Sequence, residues 1–464
     1  MFLAVVLVLL VVGSIIYHIV SPWWFTPIAS HWDAIDMTVD ITFWITGAVF
    51  VAVNLFMAYA VIKFRYKKEA RAHYEPENPK LESWLTIITA LGVAALLAPG
   101  LWVWGQFVNV PEEAWALEAV GEQWRWTFRL PGKDGQLGTT DATLISVDNP
   151  FGMNPHDERG QDDLLIFSNE VHIPIAEPVQ FLLRSKDVLH DFAVAEFRVK
   201  MDLVPGMVTY LWLEPIRTGT FEVLCEEHCG MGHFTMKGRV VVDSAEDFAK
   251  WEAEQMTYAQ FAALPKGDAA KGQAMYAVCS ACHGADGAGN RALNSPKLAG
   301  QRTWYTEHQL RNFKKGVRGA LEEDEYGRQM APMMATLADD EAIRHVSAYI
   351  ATLPNTKPEV SIIGDVERGE DLYITCSKCH GNDGEGKYTM YAPRLAGQQD
   401  WYLKRQLHNY KHGIRGGSHD NDWVGPMMAL MSRMLRDEES MDDVIAYINS
   451  MPLEAKAESV PSEG

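Results

Sequence analysis

Residues 279–289 read CSACHGADGAG, and residues 376–386 read CSKCHGNDGEG, an offset of 97 between the copies (279 to 376). The same offset carries PKLAGQ (296–301) onto PRLAGQ (393–398), and Trp304, Gln309 and Arg318 onto Trp401, Gln406 and Arg415. One inserted residue makes it 98 at Met330/Met428 and Leu337/Leu435. The C-terminal half is therefore one unit of roughly 90 residues written twice. Runs such as ADDEAIRHVSAYIATL and MDDVIAYINSM give it a helical texture. Each copy carries C-x-x-C-H, the c-type haem attachment signature. Two thiols one helical turn apart can each add to a haem vinyl group, and the adjacent imidazole then lies under the iron. The pattern assigns Cys279, Cys282, His283, Cys376, Cys379 and His380 to two covalently bound haems c. A zinc reading needs two further ligands per copy, and no second Cys pair is available.

A sixth ligand to each iron is expected to be Met, whose thioether favours ferrous iron. Met330, Met333 and Met334 in the first copy, and Met427, Met428 and Met431 in the second, are the candidates; several of them simply line the pocket. The two units resemble monohaem class I cytochromes c in tandem, as in the periplasmic dihaem cytochromes. That resemblance implies Met330 and Met428 as axial ligands, and Pro296 and Pro393 as carbonyl partners of the proximal imidazoles.

Upstream, residues 114–243 alternate in short strand-like runs (PVQFLLRS, MVTYLWLEP, GTFEVLC, KGRVVVD) between Pro, Gly and Asp turns. An antiparallel β-sandwich or small barrel is expected. After the third run comes Cys225-Glu-Glu-His-Cys229-Gly-Met-Gly-His233-Phe-Thr-Met236. Soft sulfur with imidazole suits copper or zinc, and the thioether favours copper. A blue-copper site uses one Cys, whereas two can bridge a pair of metals. A Cys225–Cys229 disulfide is the simple alternative and leaves His233 and Met236 unexplained. A further ligand is expected from a distant strand: His190 in SKDVLHDFAV is the first candidate, ahead of His156, His172 and His228.

Three apolar stretches precede this region: residues 1–21, then 39–108 as a hairpin of two. Each reaches or approaches the ~20 residues a membrane-crossing helix needs. The first is expected to be retained as a helix rather than cleaved as a signal peptide, since it lacks a basic n-region. Lys63, Arg65, Lys67, Lys68, Arg71 and Lys80 place the hairpin's loop in the cytoplasm and the remaining chain outside. Trp23, Trp24, Trp102 and Trp104 suit the outer interface. The expected location is a cell inner membrane, multi-pass, with the copper and haem domains in the periplasm.

Residues 1–243 closely resemble subunit II of a haem–copper cytochrome c oxidase, with its binuclear copper A centre in a cupredoxin domain. The motif C-x-x-x-C-x-x-x-H-x-x-M matches in full, as does DVLHDF. The resemblance implies that Cys225 and Cys229 bridge two coppers, that His190 and His233 each bind one, and that Met236 and the Glu227 carbonyl complete the shell. It further implies a magnesium or manganese ion shared with subunit I through Glu227. GEQWRW (121–126) matches the aromatic region in which Trp124 receives electrons. LESWLT (81–86) resembles the helix whose Glu, here Glu82, opens a proton path, although Trp84 is displaced by one and Thr89 replaces a usual Pro.

The expected architecture is multidomain: N-terminal transmembrane helices, an all-β cupredoxin domain (114–243) and two all-α cytochrome c domains (263–353 and 364–453). Residues 354–365 are the linker and 455–464 a frayed tail. The implied function is a respiratory oxidase subunit that relays electrons from a cytochrome c-type donor through two haems c and copper A to subunit I. There dioxygen is reduced to water with proton translocation, and subunit III is a further expected partner. The alternatives are a copper A subunit of a nitric oxide reductase and a membrane-anchored electron carrier. The shorter tether predicts that the first cytochrome domain lies nearer the copper. With 61 Asp+Glu against 41 Lys+Arg the net charge is −20, which argues against nucleic acid and fits a face for a basic donor. Six Cys in 464 residues are too few for a disulfide scaffold.

Overall fold

A computed structural model describes residues 2–21, 25–69, 71, 76–146, 148–388, 390–417, 422 and 424–453. Trp23, Trp24 and the 455–464 tail lie outside the described residues. Among the described residues, three helices are long and apolar enough to cross a membrane by length and composition: α1 (Phe2–Val20), α2 (Asp33–Lys63) and α3 (Pro79–Val108). The third opens with Asn78 capping Leu81 N–H and Pro79 in the first turn, where a missing N–H costs nothing. The start of α2 is fastened to the domain that follows: Trp32 Nε1 donates to Trp212 O (3.0 Å) and Arg198 Nε to Asp36 (2.6 Å).

The β domain comprises β1 (Trp115–Glu122), β2 (Arg125–Leu130), β3 (Leu164–Ile166), β4 (Glu170–Pro174), β5 (Val179–Ser185), β6 (His190–Val194), β7 (Val199–Leu203), β8 (Val208–Leu213), β9 (Gly219–Leu224) and β10 (Lys237–Asp243). After α4 (Ala245–Ala253), the short β11 (Met256–Thr257) returns to pair with β3, and α5 (Tyr258–Ala262) follows. One sheet runs β11-β3-β2-β1-β5-β8 and the other β4-β10-β9-β6-β7. The sandwich is mixed rather than antiparallel throughout: β1 pairs with β5, and β10 with β4, in parallel. Both parallel pairs join strands far apart in sequence, whose intervening chain returns to the same end; only a tight hairpin forces antiparallel pairing. Trp126, Phe128, Phe181, Phe192 and Phe197 fill the space between the sheets and are fully buried.

The repeat folds twice into the same unit. The first has α6 (Ala269–His283), α7 (Thr303–Lys314), α8 (Glu325–Met330) and α9 (Asp340–Thr352); the second has α10 (Val366–His380), α11 (Asp400–Lys411), α12 (Gly425–Arg433) and α13 (Glu438–Ser450). Even the caps recur: Asp268 and Asp365 cap α6 and α10, and Asp339 and Asp437 cap α9 and α13. The first and last helices of each unit cross at a glycine. A Cβ on Gly272 would lie 2.0 Å from His345 O, and one on Gly369 would lie 2.1 Å from Asp443 O, so only glycine admits the crossing.

The two units meet across a pseudo-twofold contact. Gln301 Nε2 donates to Arg394 O (2.7 Å), and its repeat equivalent Gln398 donates to Lys297 O (3.1 Å). Lys297 Nζ, buried, also reaches Asn355 Oδ1 and Gly397 O.

Candidate metal centre

The strand ends of the five-stranded sheet assemble the sulfur cluster. Cys225 follows β9, His190 opens β6 beside it, and the loop 225–236 folds back before β10. Cys225 Sγ stands 3.6 Å from Cys229 Sγ, far beyond a disulfide bond of about 2.0 Å. His190 Nδ1 lies 4.0 Å from Cys225 Sγ, and His233 Nδ1 lies 3.5 Å from Cys229 Sγ. Met236 Sδ is 3.8 Å from Cys229 Sγ, and Glu227 O is 3.2 Å from Cys225 Sγ. All six groups named from sequence thus converge. Both cysteines and Met236 are buried, and His190 is fully so. His172 stands apart, on β4, with Asp243 at 2.5 Å and its ring stacked on Trp251.

The donor set itself fits soft metal. The Cys225 thiol is held well below its ordinary value, first by its sulfur hydrogen bond with Cys229 and, against burial, by His190. Cys229 is pushed up by that bond, by burial and by the negative neighbour. A cation bridging the two sulfurs would displace thiol protons. Imidazole Nδ1 of His190 faces sulfur because its Nε2 is engaged by Asp187 Oδ1 at 2.8 Å. The same carboxylate accepts from Gln123 N–H (2.7 Å). Gln123 Nε2 and Trp124 Nε1 both donate to Cys229 O, at 2.7 and 3.0 Å. Asp187 and Gln123 escaped the sequence reading; Asp187 stands three residues before His190, the only local signal.

Cys279, Cys282, His283 and Met330 from the first repeat, and Cys376, Cys379, His380 and Met428 from the second, line one continuous cavity. His283 Nδ1 lies 2.7 Å from Pro296 O, and His380 Nδ1 2.8 Å from Pro393 O. A carbonyl only accepts, so Nδ1 carries the proton and Nε2 keeps its lone pair. Burial lowers the pKa of both imidazoles, favouring the neutral form that binds iron. The two thiols, the free imidazole nitrogen and the thioethers around the cavity are a donor set that fits covalent haem.

The structure reverses the expected order of the cytochrome domains. Cys379, Met390 and Met427, all from the second unit, pack against the copper-domain core. Met427 Sδ lies 4.0 Å from Thr235 Oγ1. A Cβ built on Gly232 would meet Met427 Cε at 2.3 Å and Trp124 Cδ2 at 2.4 Å, so the three groups meet at that glycine. Beside them the Arg125 guanidinium, paired with Glu122, lies 4.4 Å from the Tyr391 ring centroid. Trp304 of the first unit touches Tyr391 from the other side (5.7 Å), so Tyr391 is where all three domains meet. The short tether does not bring the first unit to the copper loop, because β11 on β3 and Tyr258 N–H to Asp163 O (2.8 Å) hold it at the other sheet's edge. Glu227 is half-buried beside the cluster, and Glu82 is exposed in the first turn of α3.

Fold and site together define a membrane-anchored electron-transfer protein that joins a cupredoxin-type domain to cytochrome c units. Residues 115–245 match the family described as Cytochrome C oxidase subunit II, periplasmic domain, and residues 269–354 and 366–452 each match Cytochrome c. An alternative cytochrome c oxidase subunit 2 of Bradyrhizobium diazoefficiens is 57% identical over 259 residues, 56% of this chain and 94% of that one. Cytochrome c4 of Azotobacter vinelandii is 37% identical over 179 residues, 36% of this chain and 83% of its own. The solved structure of cytochrome c4 from Pseudomonas stutzeri matches 40% of this chain and 100% of that one at 28% identity, with a TM-score of 0.33. The chain belongs to the cytochrome c oxidase subunit 2 family and carries cytochrome c domains at its C-terminal end. Membership implies a copper A centre, covalent haem c, association with subunit I and with donor cytochromes, and a part in an oxidoreductase complex.

Proposed function

We propose that this chain is the electron-receiving subunit of a proton-translocating, dioxygen-reducing oxidase. Electrons pass from a cytochrome c-type donor to the first cytochrome domain, then to the second, across Met427 and Trp124 to the copper loop, and on to subunit I. Bound copper and two haems c supply the one-electron carriers. Cys225, Cys229, His190, His233, Met236 and the carbonyl of Glu227 would hold the copper pair. His283 with Met330, and His380 with Met428, would hold the two haem irons. The observation that carries the reading is the seat of Met427 on Gly232 against Trp124, whose Nε1–H donates to the carbonyl of Cys229.

Glu227 also reaches a magnesium or manganese ion at the subunit I interface, and subunit III completes the complex. Removing the Glu227 carboxylate is expected to lower manganese occupancy, read by paramagnetic resonance. The chain crosses the inner membrane three times, and α1 remains in the mature protein; mass analysis losing about the first 20 residues would contradict this. Glu82 lies at the mouth of a proton path, so Glu82→Ala is expected to slow proton-limited turnover. Electron paramagnetic resonance of a mixed-valence copper pair, with two haems c per chain and copurification of a large polytopic subunit that takes up dioxygen, tests the whole. A single haem per chain, or an uncoupled copper signal, would contradict it.

A further inference from the structure

On one outer surface the two copies of the repeat offer different ligands. In the first copy Arg311 on α7 lies between Glu307 (3.1 Å) and Asp340 (3.2 Å), an ion pair reaching the first residue of α9. Repeat alignment carries Arg311, Lys315 and Asp340 onto His408, His412 and Glu438. Two imidazoles thus stand on α11 where the first copy has cations, and the carboxylate opening the last helix is kept. Residues at i and i+4 share a helix face, and the two rings stack with centroids 4.2 Å apart at 17°. His408 Nε2 stands 3.3 Å from Glu438 Oε1, while Lys404 Nζ holds the other oxygen, Oε2, at 3.1 Å. His412 Nδ1 lies 2.9 Å from His408 O; a carbonyl only accepts, so Nδ1 carries the proton and Nε2 keeps its lone pair. A backbone carbonyl on the far ring nitrogen is how metal-ligating imidazoles are oriented. Both histidines are exposed, and neither lines the cavity that takes the haems.

We propose that His408 and His412, with the Glu438 carboxylate, form a site for a divalent transition cation of the zinc type on the outer face of the second cytochrome domain. Two His one helical turn apart are a pair that zinc takes, and a carboxylate oxygen and water complete its shell. At His408 the metal takes the place of the proton between Nε2 and Oε1, and Nδ1 takes up a proton in exchange. The bound cation ties α11 to the first turn of α13. Imidazole selects it over magnesium and calcium, which take oxygen ligands.

The test uses the full-length protein with its copper and haem groups in place and without a polyhistidine tag. Zn2+ is titrated in competition with a chromogenic chelator, so the readout is metal uptake and is independent of the relay. One equivalent should bind that excess Mg2+ does not displace. His408→Arg with His412→Lys gives the second copy the residues with which the first copy folds, and should remove that equivalent while the haem spectra stay unchanged. His408→Gln and His412→Gln singly should each raise the Kd about tenfold or more, as loss of one ligand requires. Conversely, Arg311→His with Lys315→His, beside Asp340, should raise the count from one to two. X-ray absorption at the zinc edge should show nitrogen and oxygen neighbours alone. A zinc count unchanged in either double variant, displacement by Mg2+, or sulfur in the zinc shell would overturn the proposal.

Discussion

Gly232→Ala should uncouple the second cytochrome domain from the copper loop. The backbone tolerates the change, because φ at Gly232 is −89°, an ordinary value for any residue. The new methyl, however, would lie 2.3 Å from Met427 Cε, 2.6 Å from Met427 Sδ and 2.4 Å from Trp124 Cδ2. Met427 can swing away, but the Trp124 ring is held by its N–H bond to Cys229 O at 3.0 Å. Overpacking of this kind costs about 1–3 kcal/mol. At 1.4 kcal/mol per factor of ten, the docking equilibrium constant falls by about 5- to 150-fold. The assay reduces the cytochrome domains rapidly and follows copper reduction in the near-infrared, with paramagnetic resonance confirming an intact metal pair. A double variant with Met427→Ala should recover part of the rate, since it removes two of the three clashes. Transfer at the parent rate in Gly232→Ala, with an unaltered copper signal, would refute the reasoning. So would a double variant no better than the single one, which would locate the damage in Trp124 rather than in docking.

Asp187→Ala should weaken copper retention about 10- to 100-fold, by freeing the His190 ring, as measured by competition with a chelator. Replacing Tyr391 with Leu removes the ring against Arg125 and should weaken docking by about 1–2 kcal/mol, reported by the same copper-reduction rate. Burial, helped by the Arg394 charge, pushes Lys297 down to about 8 from 10.5. Its folded pKa being depressed, the unfolded chain holds the extra proton between those values. Stability should therefore rise with pH across that window, by at most about 3 kcal/mol, in denaturant titrations. Lys297→Met should flatten that slope.

Local chemistry was the legible part of this chain. C-x-x-C-H at 279 and 376, and the sulfur–imidazole spacing of 225–236, name their ligands because each motif lies within one turn or one loop. Three helices with the texture of membrane spans, and the helical repeat, follow from periodicity for the same reason. What sequence spacing does not encode is how finished domains dock. A tether limits reach, but β11 on the β3 edge uses up the one leading to the first unit, and the 354–365 linker lets the second unit go where its surface fits. Gly232 and Arg125 sit at motif positions to which the motif assigns no role, and Tyr391 lies outside any motif; their importance arises from shapes on separate domains. Likewise, β1·β5 and β10·β4 run parallel because of distant chain returns that alternation cannot express.

The shared cavity has a consequence for how the protein is made. Both C-x-x-C-H segments line it, and residues of the copper domain, among them Trp124 and Arg125, close part of its wall. Covalent haem held by these segments would have to enter before the two halves close on Gln301 and Gln398 and the pair settles on the copper loop. Haem attachment is then expected to precede domain docking. Chains that miss one haem should stall as open, protease-sensitive intermediates.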